Sequence, residues 1–154
     1  MVEQKEIMIA SPIERSTGKG KPPAIVHYDV DLNNRQQNLL NQLTEFNARV
    51  IIPKENVSML DLSALTAKTG DEFALFTNGA KRLIVRGNSE TVPITKEEAM
   101  RLNSMGYTWS GHTHPGADDF CLQASSGDLE ILRCFVQERS VIYNSIGEFS
   151  QFWK

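Results

Sequence analysis

Residues 110–132 read SGHTHPGADDFCLQASSGDLEIL, and they carry two of the chain's three histidines one residue apart. The preceding residues, YTWSGHTH (107–114), have the aromatic and branched character of a strand, and Pro115 stops it because it has no N–H for the ladder. On a strand, side chains at i and i+2 point to the same face. The Cα atoms of His112 and His114 are then about 6.8 Å apart, at roughly 3.4 Å per residue, and two imidazoles so placed can converge on one metal ion. After the loop 115–124, SGDLEILRCFV (126–136) has the apolar spacing of a helix. Ser125-x-x-Asp128 opens it as a capping box in its aspartate variant. A cap that fixes the helix start also aims Asp128, so capping and metal ligation are compatible roles for it.

Outward from this stretch, strands and helices alternate. AIVHYDVDL (24–32) reads as a strand, 34–47 as an amphipathic helix with Leu39, Leu40, Leu43 and Phe46 at helical spacing, and RVII (49–52) as a strand stopped by Pro53. A short strand at 57–59 and a helix ending at Gly70 are expected next. EFALF (72–76) and KRLIVRG (81–87) form a hairpin centred on Asn78-Gly79. Residues 94–106 read as a helix capped by Thr95, and SVIYN (140–144) with EFSQFW (148–153) as a closing hairpin. By period-2 alternation Trp109 and Tyr107 face away from His112 and belong to the core. The predicted class is α/β (α+β), a mixed sheet with flanking helices. Residues 1–23, with RSTGKGKPP (15–23), read as a flexible leader, and 24–56 as an N-terminal strand–helix–strand extension of the domain.

Composition limits the roles open to this fold. The 154 residues suit one domain, and a net charge of −3 lacks the basic surplus that nucleic-acid binding needs. No apolar run approaches the ~18 residues of a membrane helix, and no signal peptide is visible. Cys121 and Cys134 make no disulfide framework, so a reduced, cytoplasmic setting is the default expectation. Three protein ligands plus water is the pattern of a catalytic zinc site, not of a closed structural one. Asp118 and Asp119 are read as solvated loop charges, Cys121 as a small buried hydrophobe, and His27 as remote from the site.

The whole pattern, strand, His112-Thr113-His114-Pro115, loop, Ser125-x-x-Asp128, helix, resembles the JAMM (MPN-plus, or JAB) zinc metalloproteases. The resemblance covers about 57–153. It implies a curved mixed sheet with flanking helices, related to the cytidine-deaminase architecture. It implies Zn2+ held by His112, His114 and Asp128, an upstream glutamate as general acid/base, and Ser125 as a helper at the oxyanion. The spacer 115–124 is longer than the family's usual one, which leaves Ser126 as an alternative to Ser125. Glu72 opens the strand after the Gly70 helix end, where the family places its glutamate, forty residues before His112. The glycine-rich continuation common in the family is absent there, and Asp71 is a neighbouring alternative. Glu14, Glu45 and Glu55 are read as surface acids. The implied substrate is a peptide or a ubiquitin-like protein, and the leader would also suit a domain of a secreted effector or phage-associated protein. The rival readings are a non-catalytic scaffold of the same fold and a metal-dependent hydrolase of a non-peptide amide.

Overall fold

A computed structural model describes residues 6–12 and 28–154. Its centre is a six-stranded sheet in the order β2-β4-β3-β6-β7-β8, formed by Arg49–Pro53 (β2), Phe73–Asn78 (β3), Lys81–Arg86 (β4), Thr108–Thr113 (β6), Arg139–Tyr143 (β7) and Phe149–Trp153 (β8). A separate two-stranded ribbon pairs Met8–Ala10 (β1) with Thr91–Thr95 (β5). The helices are Asn34–Gln42 (α1), Met59–Thr69 (α2), Lys96–Ser104 (α3) and Ser126–Cys134 (α4). All sheet neighbours are antiparallel except β6 and β7, whose parallel pairing requires a crossover that α4 supplies. The expected mixed sheet with flanking helices is therefore present.

Alternation along the central strands sorts the core into two layers. Phe73, Leu75 and Ile84 face Leu39 and Leu43 at α1 and Leu62 and Leu65 of α2. Ala74, Phe76 and Val85 face the other way, toward Ile9 of β1, Val92 and Ile94 of β5, Leu102 of α3 and Ile131 and Leu132 of α4. Both faces of the sheet are thus covered, and its central strands read as nearly continuous apolar runs. Among the described residues no helix is long and apolar enough to cross a membrane.

Several boundaries differ from the sequence expectation, each for a local reason. Residues 8–10, expected in a flexible leader, form β1 and bury Ile9 completely. The rest of that leader, 1–5 and 13–23, lies outside the described residues, as does His27. Of the strand expected at 24–32, the described part from Tyr28 onward is irregular. Within the region 24–56, β2 pairs with β4 over its full length and α1 buries Leu39. Helix α1 stops at Gln42 rather than 47, since Asn47 turns the chain at φ 71° and Phe46 is left exposed. The strand expected at 57–59 gives way to α2 because Ser58 and Asp61 form a capping box that starts the helix there. Gly70 ends α2 in the left-handed conformation, at φ 77°. The β3–β4 loop is Gly79-Ala80, one residue later than expected, with Asn78 paired to Lys81.

Trp109 is in the core, but not on the side opposite His112. In the β3–β6 pairing Leu75 faces Gly111 and Phe76 faces Trp109, so Ser110 is an extra residue in β6. This bulge resets the alternation. Trp109 and His112 consequently share a face, with ring centroids 4.8 Å apart.

Candidate metal centre

The site forms where β6 ends, β3 begins and α4 begins. His112 is near the end of β6 and His114 is just past it, held in line by its N–H to the Tyr143 carbonyl of β7 at 3.0 Å. Thr113, between them, points to the opposite face. Its hydroxyl accepts the Phe73 N–H at 2.9 Å and meets the Thr66 hydroxyl of α2. It thereby fixes the start of β3, and with it Glu72, against the histidine-bearing strand. Glu72 is held further by backbone bonds from its N–H to Asn88 at 2.8 Å and from Gly87 N–H to its carbonyl at 2.7 Å.

Asp128 reaches the histidines from the first turn of α4. Ser125 accepts the Asp128 N–H at 3.0 Å, and Asp128 Oδ2 accepts the Ser125 N–H at 3.1 Å, which completes the capping box. The same Oδ2 lies 3.1 Å from His112 Nε2 and 3.3 Å from His114 Nε2, and the two imidazole nitrogens are 3.0 Å apart. His114 donates Nδ1–H to the Cys121 carbonyl at 2.8 Å. That bond leaves Nε2 as the lone-pair nitrogen, aimed at the other two ligand atoms. His112 is wedged between Trp109 and Phe152, at ring-centroid distances of 4.8 and 5.8 Å. Its Nδ1 has no hydrogen-bond partner among the described residues. Glu72, His112, His114 and Asp128 are all fully buried.

His112, His114 and Asp128 together can hold a metal ion. The fit is tested by their spacing. An ion at ~2.0–2.1 Å from tetrahedral ligands separates those ligands by about 3.3–3.4 Å. The observed separations of 3.0, 3.1 and 3.3 Å need only slight opening to reach that.

Electrostatics agree with the geometry. Burial pushes the His112 imidazole below its ordinary value, against the pull of Asp128. Burial acts the same way on His114, but Glu72, Asp128 and the Cys121 carbonyl outweigh it and hold that imidazole above its ordinary value. Asp128 is penalised by burial, yet the two histidines keep its carboxyl far below the usual carboxylate range. Two buried carboxylates, Glu72 and Asp128, thus act on the buried His114 imidazole, a setting that favours a cation.

No family model, curated protein or solved structure matches the chain. The site therefore rests on its own residues.

The remaining sequence candidates fall outside the group. Ser125 is buried in the cap, whereas its alternative Ser126 is exposed. Asp71 is engaged by Arg86, with its Oδ2 at 2.8 and 3.0 Å from the guanidinium. Asp118 and Asp119 are exposed, and Asp118 caps the turn Asp119–Leu122 by accepting the Cys121 N–H at 3.1 Å. Cys121 is buried, and its sulfur donates to the Pro115 carbonyl at 3.2 Å. Glu45 and Glu55 are exposed, and Glu14 lies outside the described residues.

Three contributors escaped the sequence reading: the Cys121 carbonyl, the Thr113 hydroxyl and strand β1. Ala10 N–H donates to Asp128 Oδ1 at 3.0 Å, and the Ser11 hydroxyl donates to Glu72 Oε2. The signal for β1 was the apolar run Ile7-Met8-Ile9-Ala10, obscured by the polar residues that follow it.

Proposed function

We propose that the chain is a JAMM-type zinc metallohydrolase, a metallopeptidase or isopeptidase that cleaves peptide or ubiquitin-like isopeptide bonds. One observation carries the reading: His112 Nε2, His114 Nε2 and Asp128 Oδ2 lie 3.0–3.3 Å apart in a buried group, with the Glu72 carboxylate acting on His114. A three-ligand set leaves a fourth tetrahedral position for water or substrate. Its order along the chain, with Glu72 at the head of β3, the histidines at the end of β6 and Asp128 at the head of α4, supports the JAMM likeness. The covered mixed sheet suits the cytidine-deaminase-like architecture that goes with it.

Zinc bound here would supply a Lewis acid for the scissile carbonyl and bring the pKa of a water toward about 7. The other roles fall to the protein. Glu72 takes the proton of the attacking water and returns it to the leaving amine. Ser125 already accepts the Asp128 N–H, so its hydroxyl proton remains available to the developing oxyanion. The buried setting strengthens both interactions relative to water. The net charge of −3 favours a peptide or protein substrate over a nucleic acid. Cys121 and Cys134 are free, in keeping with a reduced cytoplasmic setting.

Glu72→Gln is the deciding variant. It keeps the shape of the side chain and should lower turnover roughly 10²–10⁴-fold on a panel of peptide and isopeptide substrates, while zinc content is unchanged. Cleavage by this variant at the wild-type rate removes Glu72 as base. A second reading, the same fold as a binding module without turnover, draws support from the complete burial of all four side chains. It predicts zinc uptake with no cleavage by the wild-type chain.

A further inference from the structure

One short segment, distant in sequence, holds both acids of the site. Ala10 N–H bonds Asp128 Oδ1 at 3.0 Å across 118 residues, and the Ser11 hydroxyl bonds Glu72 Oε2 across 61. We propose that β1 is a working part of the centre, with the Ala10 amide positioning Asp128 and the Ser11 hydroxyl positioning Glu72. This rests on the metal-site reading above.

The geometry gives the two contacts distinct tasks. A carboxylate held through one oxygen still rotates about its last bond. With Oδ1 occupied by Ala10 and Oδ2 by Ser125 N–H, the plane of Asp128 is fixed and Oδ2 is presented to the imidazoles. Ser11 holds the glutamate at one oxygen, Oε2, and so sets where that oxygen sits. Such outer contacts orient ligands and bases, and they set affinity and rate as the ligands themselves do.

A strap that leaves when substrate arrives would touch the same atoms, but the structure is built around β1 as a fixture. Ile9 is fully buried in the core beneath α4. The segment is bonded on both sides of Ala10, by Thr91 Oγ1 to the Ile9 carbonyl at 2.7 Å and by Ser11 N–H to the Glu90 carbonyl at 2.8 Å. Position 127 is the clearest sign. A Cβ there would lie 2.2 Å from the Met8 carbonyl oxygen, so only glycine lets the helix start approach the strand this closely.

The test is a zinc titration of the full chain. Ala10→Pro deletes the N–H that serves Asp128. Gly127→Ala leaves every contacting group in place and pushes β1 off the helix start. Each should weaken zinc binding about 10–100-fold with the fold retained by circular dichroism. Ser11→Ala should bind zinc as the wild type does but lose kcat at unchanged KM on the peptide substrate the wild type cleaves, and Ser11→Thr should restore it. Unchanged zinc affinity in both folded variants overturns the proposal, as does loss of zinc only through unfolding. A faster Ser11→Ala overturns it in favour of an inhibitory strap. A wild-type chain that takes up no zinc removes the metal reading and this inference together. Zinc uptake by the wild type with indifferent variants removes this inference alone.

Discussion

The chain uses Ser-x-x-Asp twice, at the starts of α2 and α4, and the two copies differ in what the aspartate meets. Ser58 and Asp61 form a capping box, as do Ser125 and Asp128, and both aspartates are buried. At α2 the second partner is Arg35, whose guanidinium reaches Asp61 Oδ1 at 2.7 Å and Oδ2 at 3.2 Å, with Gln36 adding a bond at 3.1 Å. At α4 the second partners are two imidazoles and a backbone amide. Arginine carries a permanent charge, so the first box is already neutralised. Imidazoles can be neutral and offer lone pairs, so the second box is left with a negative charge and ligand atoms. The motif therefore specifies a helix start, and the tertiary partner decides whether its carboxylate is structural or chemical.

The sharpest way to break this comparison is to remove each carboxylate. Asp128→Ala should abolish tight zinc uptake, because two imidazoles alone make a weak site. Asp61→Ala should leave about one zinc per chain. Equal zinc content in the two variants, measured by atomic emission on dialysed protein, would erase the distinction between the boxes.

Acid should separate them next. The Asp61 carboxyl is penalised by burial, but its bonds to Arg35, Gln36 and Ser58 outweigh that and hold it below the ordinary value. Its stabilising contribution is therefore fully present above the unfolded carboxyl value of about 3.9, and is lost as pH falls through the lower folded value. Metal at the second box competes with protons for imidazoles, whose ordinary value of about 6.5 lies well above that of a carboxyl. Zinc release on acidification should thus precede the loss of the Arg35 pair. Urea unfolding of metal-free protein between about pH 2 and 6 should be less pH-dependent in Asp61→Asn than in the wild type. Equal slopes would mean that the ion pair contributes nothing.

These contrasts also explain how far the sequence could be read. The histidine pair, the α4 cap and the Gly70 helix end were legible because each is fixed by neighbours within four residues. The β3–β4 hairpin was legible from its two apolar runs around Asn78-Gly79, although its loop lies one residue later. The face of Trp109 was not legible, since it depends on a bulge set by the pairing of β6 with β3. The start of α2 was misread as a strand because Val57 and Met59 are as apolar as strand residues, and the Ser58–Asp61 cap decides between them. Strand β1 and its bonds to Asp128 and Glu72 span 118 and 61 residues, and no local pattern encodes a contact at that range. Selection of Glu72 over Asp71 came from register. Arg86, opposite Phe73 on β4, claims Asp71 and leaves Glu72 to the interior.

The smallest expected effect is the most diagnostic of how the boxes divide their duties. Ser58→Ala and Ser125→Ala each delete one cap hydroxyl, which costs about 0.5–2 kcal/mol. At roughly 1 kcal/mol either change lowers Tm by about 2–4 °C in a chain of this length. In metal-free protein the two melting shifts should therefore be similar. Turnover should divide them, because only the Ser125 hydroxyl borders the ligand triangle, through the Asp128 that it caps. Ser58→Ala should retain wild-type kcat, while Ser125→Ala should lose it with zinc content preserved. Should both variants melt alike and cleave alike, Ser125 would be a cap and nothing more. The oxyanion would then need another donor, with the rest of the site unchanged.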